Sequence, residues 1–297
     1  MKVQLYVTSN NQLVCLSNHV LSRAGVAVPS GWIFDNGTVI RMRALAQGGS
    51  DIRMIHPQTV SNPQRYVSPE TFNEAMAAAT LAMPRESTVY VVRHGHAAHN
   101  DPAASVAEAH DAHLTPVGMQ QAADCGRAIC DDARGLLGAC REACALDAFS
   151  SDLFRTMQTC RLLLDHFPPA MRPSKCTVCI EARENTRPIG GVHHWQSHDP
   201  LRIVAIDPFL PLEQLLPLAP GKTREEVERM LVENVPKNDP LGSWEQCVKR
   251  LGDMDIDWGD YVAKVGRAKA EGKTFGAAAS ETLFLDVILR NAQSLSA

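Results

Sequence analysis

Thr88-Val89-Tyr90-Val91-Val92-Arg93-His94-Gly95-His96-Ala97-Ala98-His99-Asn100 reads as a short apolar strand that runs straight into a loop of cationic and imidazole side chains. A run such as 88–92, with no polar alternation, is the pattern of a strand covered on both faces, as in a parallel sheet. In open α/β sheets, ligands bind beyond the carboxyl ends of the strands, which is where Arg93-His94-Gly95 falls. Arg93 offers a planar, permanently charged fork suited to phosphate. His94 offers a nucleophile or a base. Gly95 lets backbone approach a ligand closely.

Strands alternate with helices from here toward the C-terminus. Residues 115–131 read as a helix, with Thr115 as N-cap and Pro116 in the first helical position. Residues 145–150 read as a strand. In 152–167, Leu153, Met157, Cys160 and Leu164 recur at helical spacing, and Pro168-Pro169 stop the helix. Residues 178–180 read as a strand, 224–234 and 243–267 as helices, 275–279 as a last strand and 281–292 as a helix. This alternation predicts a three-layer α/β/α sandwich around a mostly parallel sheet.

Toward the N-terminus the pattern changes. Residues 3–7 and 13–16 are apolar runs flanking a polar Asn10-Asn11 turn, and 32–34 and 38–42 flank Asp35-Asn36-Gly37. Asp or Asn before Gly supplies the positive φ of a tight turn, so the second pair is a predicted hairpin. Residues 46–68 read as loop, and 69–83 as a helix with Ser68 as N-cap and Pro69 at its first position. The expected organisation is a small antiparallel β module at 1–68, either a packing or homo-oligomerisation appendage, which is preferred, or a ligand-binding module, followed by a linker helix within 69–87 and the main domain at 88–297.

Composition fits this picture. The 297 residues are 45% apolar and 21% charged, which is enough for a sizeable core. A net charge of −4 argues against nucleic-acid or membrane-surface binding by bulk charge. No run approaches the roughly 18 apolar residues of a membrane span. Polar Thr8-Ser9-Asn10-Asn11-Gln12 interrupts any signal-peptide core, so a cytoplasmic protein is expected. Nine cysteines is an odd count in a chain too long to need stapling, which fits reduced thiols. Cys176-Thr177-Val178-Cys179 sits in a strand-like run and reads as buried thiols.

Two further segments sharpen the reading of His94: His113-Leu114-Thr115-Pro116-Val117-Gly118-Met119-Gln120-Gln121-Ala122 and Ser151-Asp152-Leu153-Phe154-Arg155-Thr156-Met157-Gln158-Thr159. With Arg93-His94-Gly95, and in the same order, they resemble the histidine phosphatase superfamily, which includes the phosphoglycerate mutases. The resemblance spans about 88–290. It implies a phosphoglycerate mutase-like fold and metal-independent phosphomonoester hydrolysis through a phosphohistidine on His94, with no cofactor and a small phosphorylated substrate or inorganic phosphate as ligand. It also implies that Arg93 and Arg155 hold phosphoryl oxygens, that Asn100 lines the pocket, and that a glutamate after the next strand donates a proton to the leaving group; Glu181 and Glu184 are the two candidates, and Arg183-Glu184 resembles the family's pattern, which favours Glu184. The loop His96-Ala97-Ala98-His99-Asn100 is closer to the phosphatase members than to the mutases.

One departure stands out. The family's second histidine, after the last strand, is replaced by Glu281 in Ser280-Glu281-Thr282. A carboxylate facing a phosphate dianion is repulsive. Glu281 then either turns away or is protonated, or one of His193, His194 and His198 enters the site, or the pocket binds phosphoesters without turnover as a binding or scaffold protein would. A third class, a metal-dependent hydrolase, would use His94-x-His96 with His99, His110 and His113 as ligands. Arg93 beside the metal opposes it. Substrate choice in this reading lies in residues 185–245, where Trp195 with His193 and His194 forms either a lid over the site or a packed surface loop.

Overall fold

Successive side chains of a strand point to opposite faces, and the buried runs of this chain divide accordingly. Val89 and Val91 enter one apolar cluster, Tyr90 and Val92 the other. In the computed structural model, which describes residues 2–101, 112–137, 145–183, 223–226, 255–258, 260–271 and 282–293, they belong to β4 (Ser87–Arg93), buried along its whole length. The other strands are β1 (Lys2–Thr8), β2 (Val39–Ala44), β3 (Ser50–His56), β5 (Ala145–Ser150), β6 (Lys175–Val178) and β7 (Asp255–Asp257). The helices are α1 (Asn10–Arg23), α2 (Pro69–Met76), α3 (Pro116–Leu137), α4 (Phe154–Leu164), α5 (Tyr261–Ala270) and α6 (Phe284–Gln293).

One seven-stranded sheet runs in the order β3-β2-β4-β1-β5-β6-β7. β1 is parallel to β4 and β5, and β5, β6 and β7 continue in parallel, whereas β2 is antiparallel to both β4 and β3. On one face, Tyr6, Val89 and Val91 pack with Leu13 and Leu16 of α1, Phe72 of α2, and Phe284 and Ile288 of α6. On the other, Leu5, Val7, Tyr90 and Val92 pack with Ile129 of α3 and Leu163 of α4. Each such fully buried side chain stabilises the fold by about 1.5–3 kcal/mol. The α/β class, the mostly parallel sheet and the N-terminal antiparallel strands agree with expectation. No helix among the described residues is long and apolar enough to cross a membrane.

The N-terminal segment differs from its prediction. Residues 10–16 are not a turn and a strand but the start of α1. Leu13, Leu16, Val20 and Leu21 are spaced to line one helical face, a period that shows only when the window runs past the short apolar run. Gly37 does take the positive φ of +75° predicted for the turn, and Thr38 N–H donates to Asp35 O at 3.1 Å. The strand after it pairs instead with β4 and β3, and β3 itself lies where loop was expected. Its buried Ile52 and Met54 around exposed Arg53 are the period-two signal. β1, moreover, lies in the middle of the sheet, so the β-rich stretch expected to stand apart at 1–68 is built into the same sheet as β4.

Elsewhere, Ser68 caps α2 by accepting from Thr71 N–H, as predicted, but the helix stops at Met76. Part of the helix predicted at 243–267 is the strand β7, too short at three residues to show a period. The strand predicted at 178–180 sits earlier, at β6, and Ile180–Ala182 form a 3₁₀ turn. Cys160 and Cys176 are buried thiols 3.7 Å apart, and Cys179 is likewise buried and free. The strand predicted at 275–279, Glu184, Glu281, His110, His193, His194, Trp195 and His198 lie outside the described residues.

Candidate active site at the carboxyl edge of the sheet

Because β1, β4, β5 and β6 run in parallel, the segments that follow Thr8, Arg93, Ser150 and Val178 emerge at one edge of the sheet. His94 sits there and is 1% exposed. Its backbone N–H donates to Thr8 O at 2.9 Å, fixing the loop to the neighbouring strand end. Its Nδ1 lies 2.8 Å from Gly95 O, an acceptor, so Nδ1 carries the proton. Nε2 then presents its lone pair and accepts from Arg155 Nε at 3.2 Å. Burial, together with the charges of Arg155 and Arg93, holds this imidazole well below the usual histidine range. The result is a neutral, oriented ring nitrogen beside two guanidinium groups, an arrangement chemically able to attack an anion held there.

The loop is held by the two other motif segments. Gly95 and Gly118 let two backbones touch: a Cβ on Gly118 would lie 1.9 Å from His96 O, and one on Gly95 would lie 2.3 Å from Gly118 O. Gln121 Oε1 accepts from His96 N–H at 2.7 Å, and Thr159 Oγ1 accepts from Gly95 N–H at 3.1 Å. Gln158 Oε1 accepts from Leu114 N–H at 2.8 Å. Thr115 caps α3, its Oγ1 accepting from Gly118 N–H at 3.2 Å. The glycines, the glutamines and the threonines of the sequence pattern are thus the brace of the His94 loop.

A pocket of about 260 Å³ opens above His94, lined by Arg93, His96, His99 and Asn100 on one side and by Asn10, Asn11, Ile33, Asn36, Arg65 and Tyr66 on the other. The second wall comes from α1 and the loops around β2. Asn10 Oδ1 accepts from Phe34 N–H at 2.8 Å, while Phe34 O accepts from Arg93 Nη1, so one residue ties the N-terminal wall to the cationic floor. Arg65 lies over the Tyr66 ring at 5.4 Å.

Of the residues picked out in the sequence, the structure brings Arg93, His94, Asn100 and Arg155 together. Glu181 is committed elsewhere, to Lys264 of α5 at 2.6 Å. Asp152 is held by Arg183 and by Tyr261 Oη at 2.8 Å. His96 Nδ1 lies 3.0 Å from Thr115 Oγ1, and no group of three potential metal ligands forms among the described residues. Sequence reading singled out His99 only as a candidate metal ligand and not as a wall of a phosphate pocket, although its place five residues after His94 was a signal. It also missed Asn10, Asn11 and Asn36, which follow a strand end or a turn and were read as turn residues only.

Comparison with curated proteins and with solved structures yields no match. The stretch that supplies the floor of the pocket and its braces, residues 89–175, matches the family model of the histidine phosphatase superfamily (branch 1).

Proposed function

We propose that the protein is a phosphomonoesterase that works through a phosphohistidine on His94 without a metal. The observation that carries this reading is the pairing of a buried, neutral His94, proton fixed on Nδ1, with Arg155 at Nε2. A phosphoryl group drawn between Arg93 and Arg155 displaces the Arg155 contact and meets the Nε2 lone pair. The N–P bond forms as the P–O bond to the leaving group breaks, and the leaving oxygen takes a proton, a role this reading gives to Glu184. Water then attacks phosphorus, releasing inorganic phosphate and restoring His94. Positioning and fixed positive charge carry such transfers.

The leaving group is polar and small. The pocket wall facing His94 presents three amides, Asn10, Asn11 and Asn36, and a cation at its rim, Arg65. Buried free thiols support action in a reducing compartment, the cytoplasm. Glu281 favours a second reading, phosphoester binding without turnover. Hydrolysis of p-nitrophenyl phosphate in EDTA by wild type, His94→Ala and Glu281→His separates the two. Turnover by wild type, lost in His94→Ala, supports the phosphatase. An inert wild type that gains activity with Glu281→His supports the binder. Full activity of His94→Ala sinks the phosphohistidine mechanism.

A further inference from the structure

We infer that His99 is a second imidazole of the phosphate site, donating from Nδ1 to a phosphoryl oxygen. The inference rests on the phosphate-pocket reading above but not on turnover. Its ground is a short chain of hydrogen-bond logic. Ala97 N–H donates to Asn100 Oδ1 at 3.0 Å, which fixes the orientation of the Asn100 amide. The other end of that amide, Nδ2, is therefore the group 3.3 Å from His99 Nε2, and it donates to the ring nitrogen. Nε2 of His99 is then the acceptor, and its proton sits on Nδ1. That Nδ1 is buried and has no hydrogen-bond partner among the described residues. A buried donor left unmade costs about 1–3 kcal/mol, and such groups in native proteins call for an explanation.

The surroundings supply one. His99 is 8% exposed, lines the pocket, and its ring centroid is 5.5 Å from that of His94. Among the described residues, the charged and titratable groups that act on it are Arg155 of α4, Arg93 of β4, and His94 and His96 of the same loop, all cationic or able to become so. Burial and that positive field hold His99 well below the usual histidine range, hence neutral, in the empty pocket. A phosphate dianion reverses the sign of the field. It meets the waiting Nδ1–H, while Nε2 goes on accepting from Asn100 Nδ2. The pocket thereby gains, from the loop after β4, an imidazole donor that the sequence around Glu281 does not offer.

The test measures inorganic phosphate binding, by calorimetry, for wild type, His99→Leu and His99→Gln, together with ring-nitrogen NMR of the wild type during phosphate titration. Loss of one charge-assisted hydrogen bond is expected to weaken phosphate binding by roughly 10- to 150-fold in His99→Leu. His99→Gln, which keeps an amide donor, should recover most of it. In the wild type, the His99 Nδ1 signal should move to that of a hydrogen-bonded N–H as phosphate saturates, with Nε2 remaining an unprotonated acceptor. Phosphate affinity of folded His99→Leu within about twofold of wild type overturns the inference. So do His99 signals that stay put while those of His94 shift, and this second measurement decides the matter if His99→Leu does not fold. Acid-quench labelling keeps the two readings apart. Phosphohistidine on wild type with unchanged binding in His99→Leu defeats His99 alone. No label, with binding lost in His99→Leu, defeats turnover alone.

Discussion

Two stretches of the chain build the same pocket in different ways. Residues 89–175 supply Arg93, His94, His99, Asn100 and Arg155, and within them nearly every patterned residue has one backbone partner to hold. The N-terminal stretch supplies Asn10, Asn11, Ile33, Asn36, Arg65 and Tyr66 as the facing wall, from a helix start and two loops. A nucleophile between guanidinium groups tolerates few residue types and few spacings. A wall that meets a leaving group tolerates many. Chemistry therefore leaves a pattern in sequence, and selectivity leaves much less of one. If this contrast holds, changes in the first stretch should abolish turnover on every substrate, and changes in the second should alter which substrate is turned over.

The largest effect belongs to His94, the nucleophile of the proposed reaction. His94→Ala should lower kcat by roughly a thousandfold or more on any phosphomonoester, as nucleophile removal generally does. Next comes the brace. Gly118→Ala forces a Cβ to within 1.9 Å of His96 O, backbone against backbone. Overpacking of this kind costs about 1–3 kcal/mol or more, and the melting temperature should fall by several degrees, with activity lost as the His94 loop shifts. Gly25→Ala in the N-terminal stretch is the control: its added Cβ meets nothing within 4 Å, and only its φ of +69° is strained. That should cost about 1 kcal/mol and leave turnover alone. Equal losses of activity in the two variants would remove the distinction between the stretches.

Acid sharpens the contrast further. His94 and His99 are buried and neutral, each held below its ordinary range by burial first and by neighbouring positive charge second. In the unfolded chain both take up a proton as pH falls through about 6.5. The unfolded state then binds more protons than the native one, so stability is full above that pH and declines below it. The slope is about 1.4 kcal/mol per pH unit for each such group. Urea melts of the apo protein from pH 7.5 to 5 should show this decline. His94→Ala should flatten it, and saturating inorganic phosphate should raise stability across the range by binding the native state alone. His19 and His56, in the N-terminal stretch, are shifted in the same direction by burial but are less enclosed, and removing either should change the slope less. A pH-independent stability across that range would contradict neutral burial of the two site imidazoles.

What could be read from the sequence follows the same division. The strand at 88–92 and the capped helix after Thr115 were legible, because a buried strand and a helix N-terminus each have a local signature, whereas Arg155 was picked out only through the resemblance of its segment to a family pattern. The role of the braces was less so: Gln121 and Gln158 look like surface residues until their backbone partners are in view. The N-terminal strand was legible as a strand but not as the centre of the sheet, since pairing between β1 and β4 joins segments more than 80 residues apart and leaves no short-range trace. Asn10 reads as a turn former by type. It is a buried capping neighbour of Ser9 that ties Phe34 in place, which only the fold reveals. His99 was visible as a histidine, but its unmet Nδ1 depends on the amide orientation of Asn100.

The smallest effect tests the wall itself. Arg65 and Tyr66 lie at the rim, with the guanidinium 5.4 Å from the ring centroid, an arrangement worth about 0.5–1 kcal/mol at an exposed site. Arg65→Ala should leave p-nitrophenyl phosphate hydrolysis within about twofold of wild type, because that leaving group carries no anion for the rim to hold. On a phosphomonoester whose leaving group bears a second anion, kcat/KM should fall by about tenfold, the worth of one exposed charge-assisted contact. The fall should appear in KM more than in kcat, since the rim acts on a part of the substrate that does not change charge during phosphoryl transfer. Equal losses on both substrates would mean that Arg65 supports the pocket rather than reads its occupant. The N-terminal wall would then belong with the brace, and selectivity would have to be sought in the segments between Arg183 and Asp255.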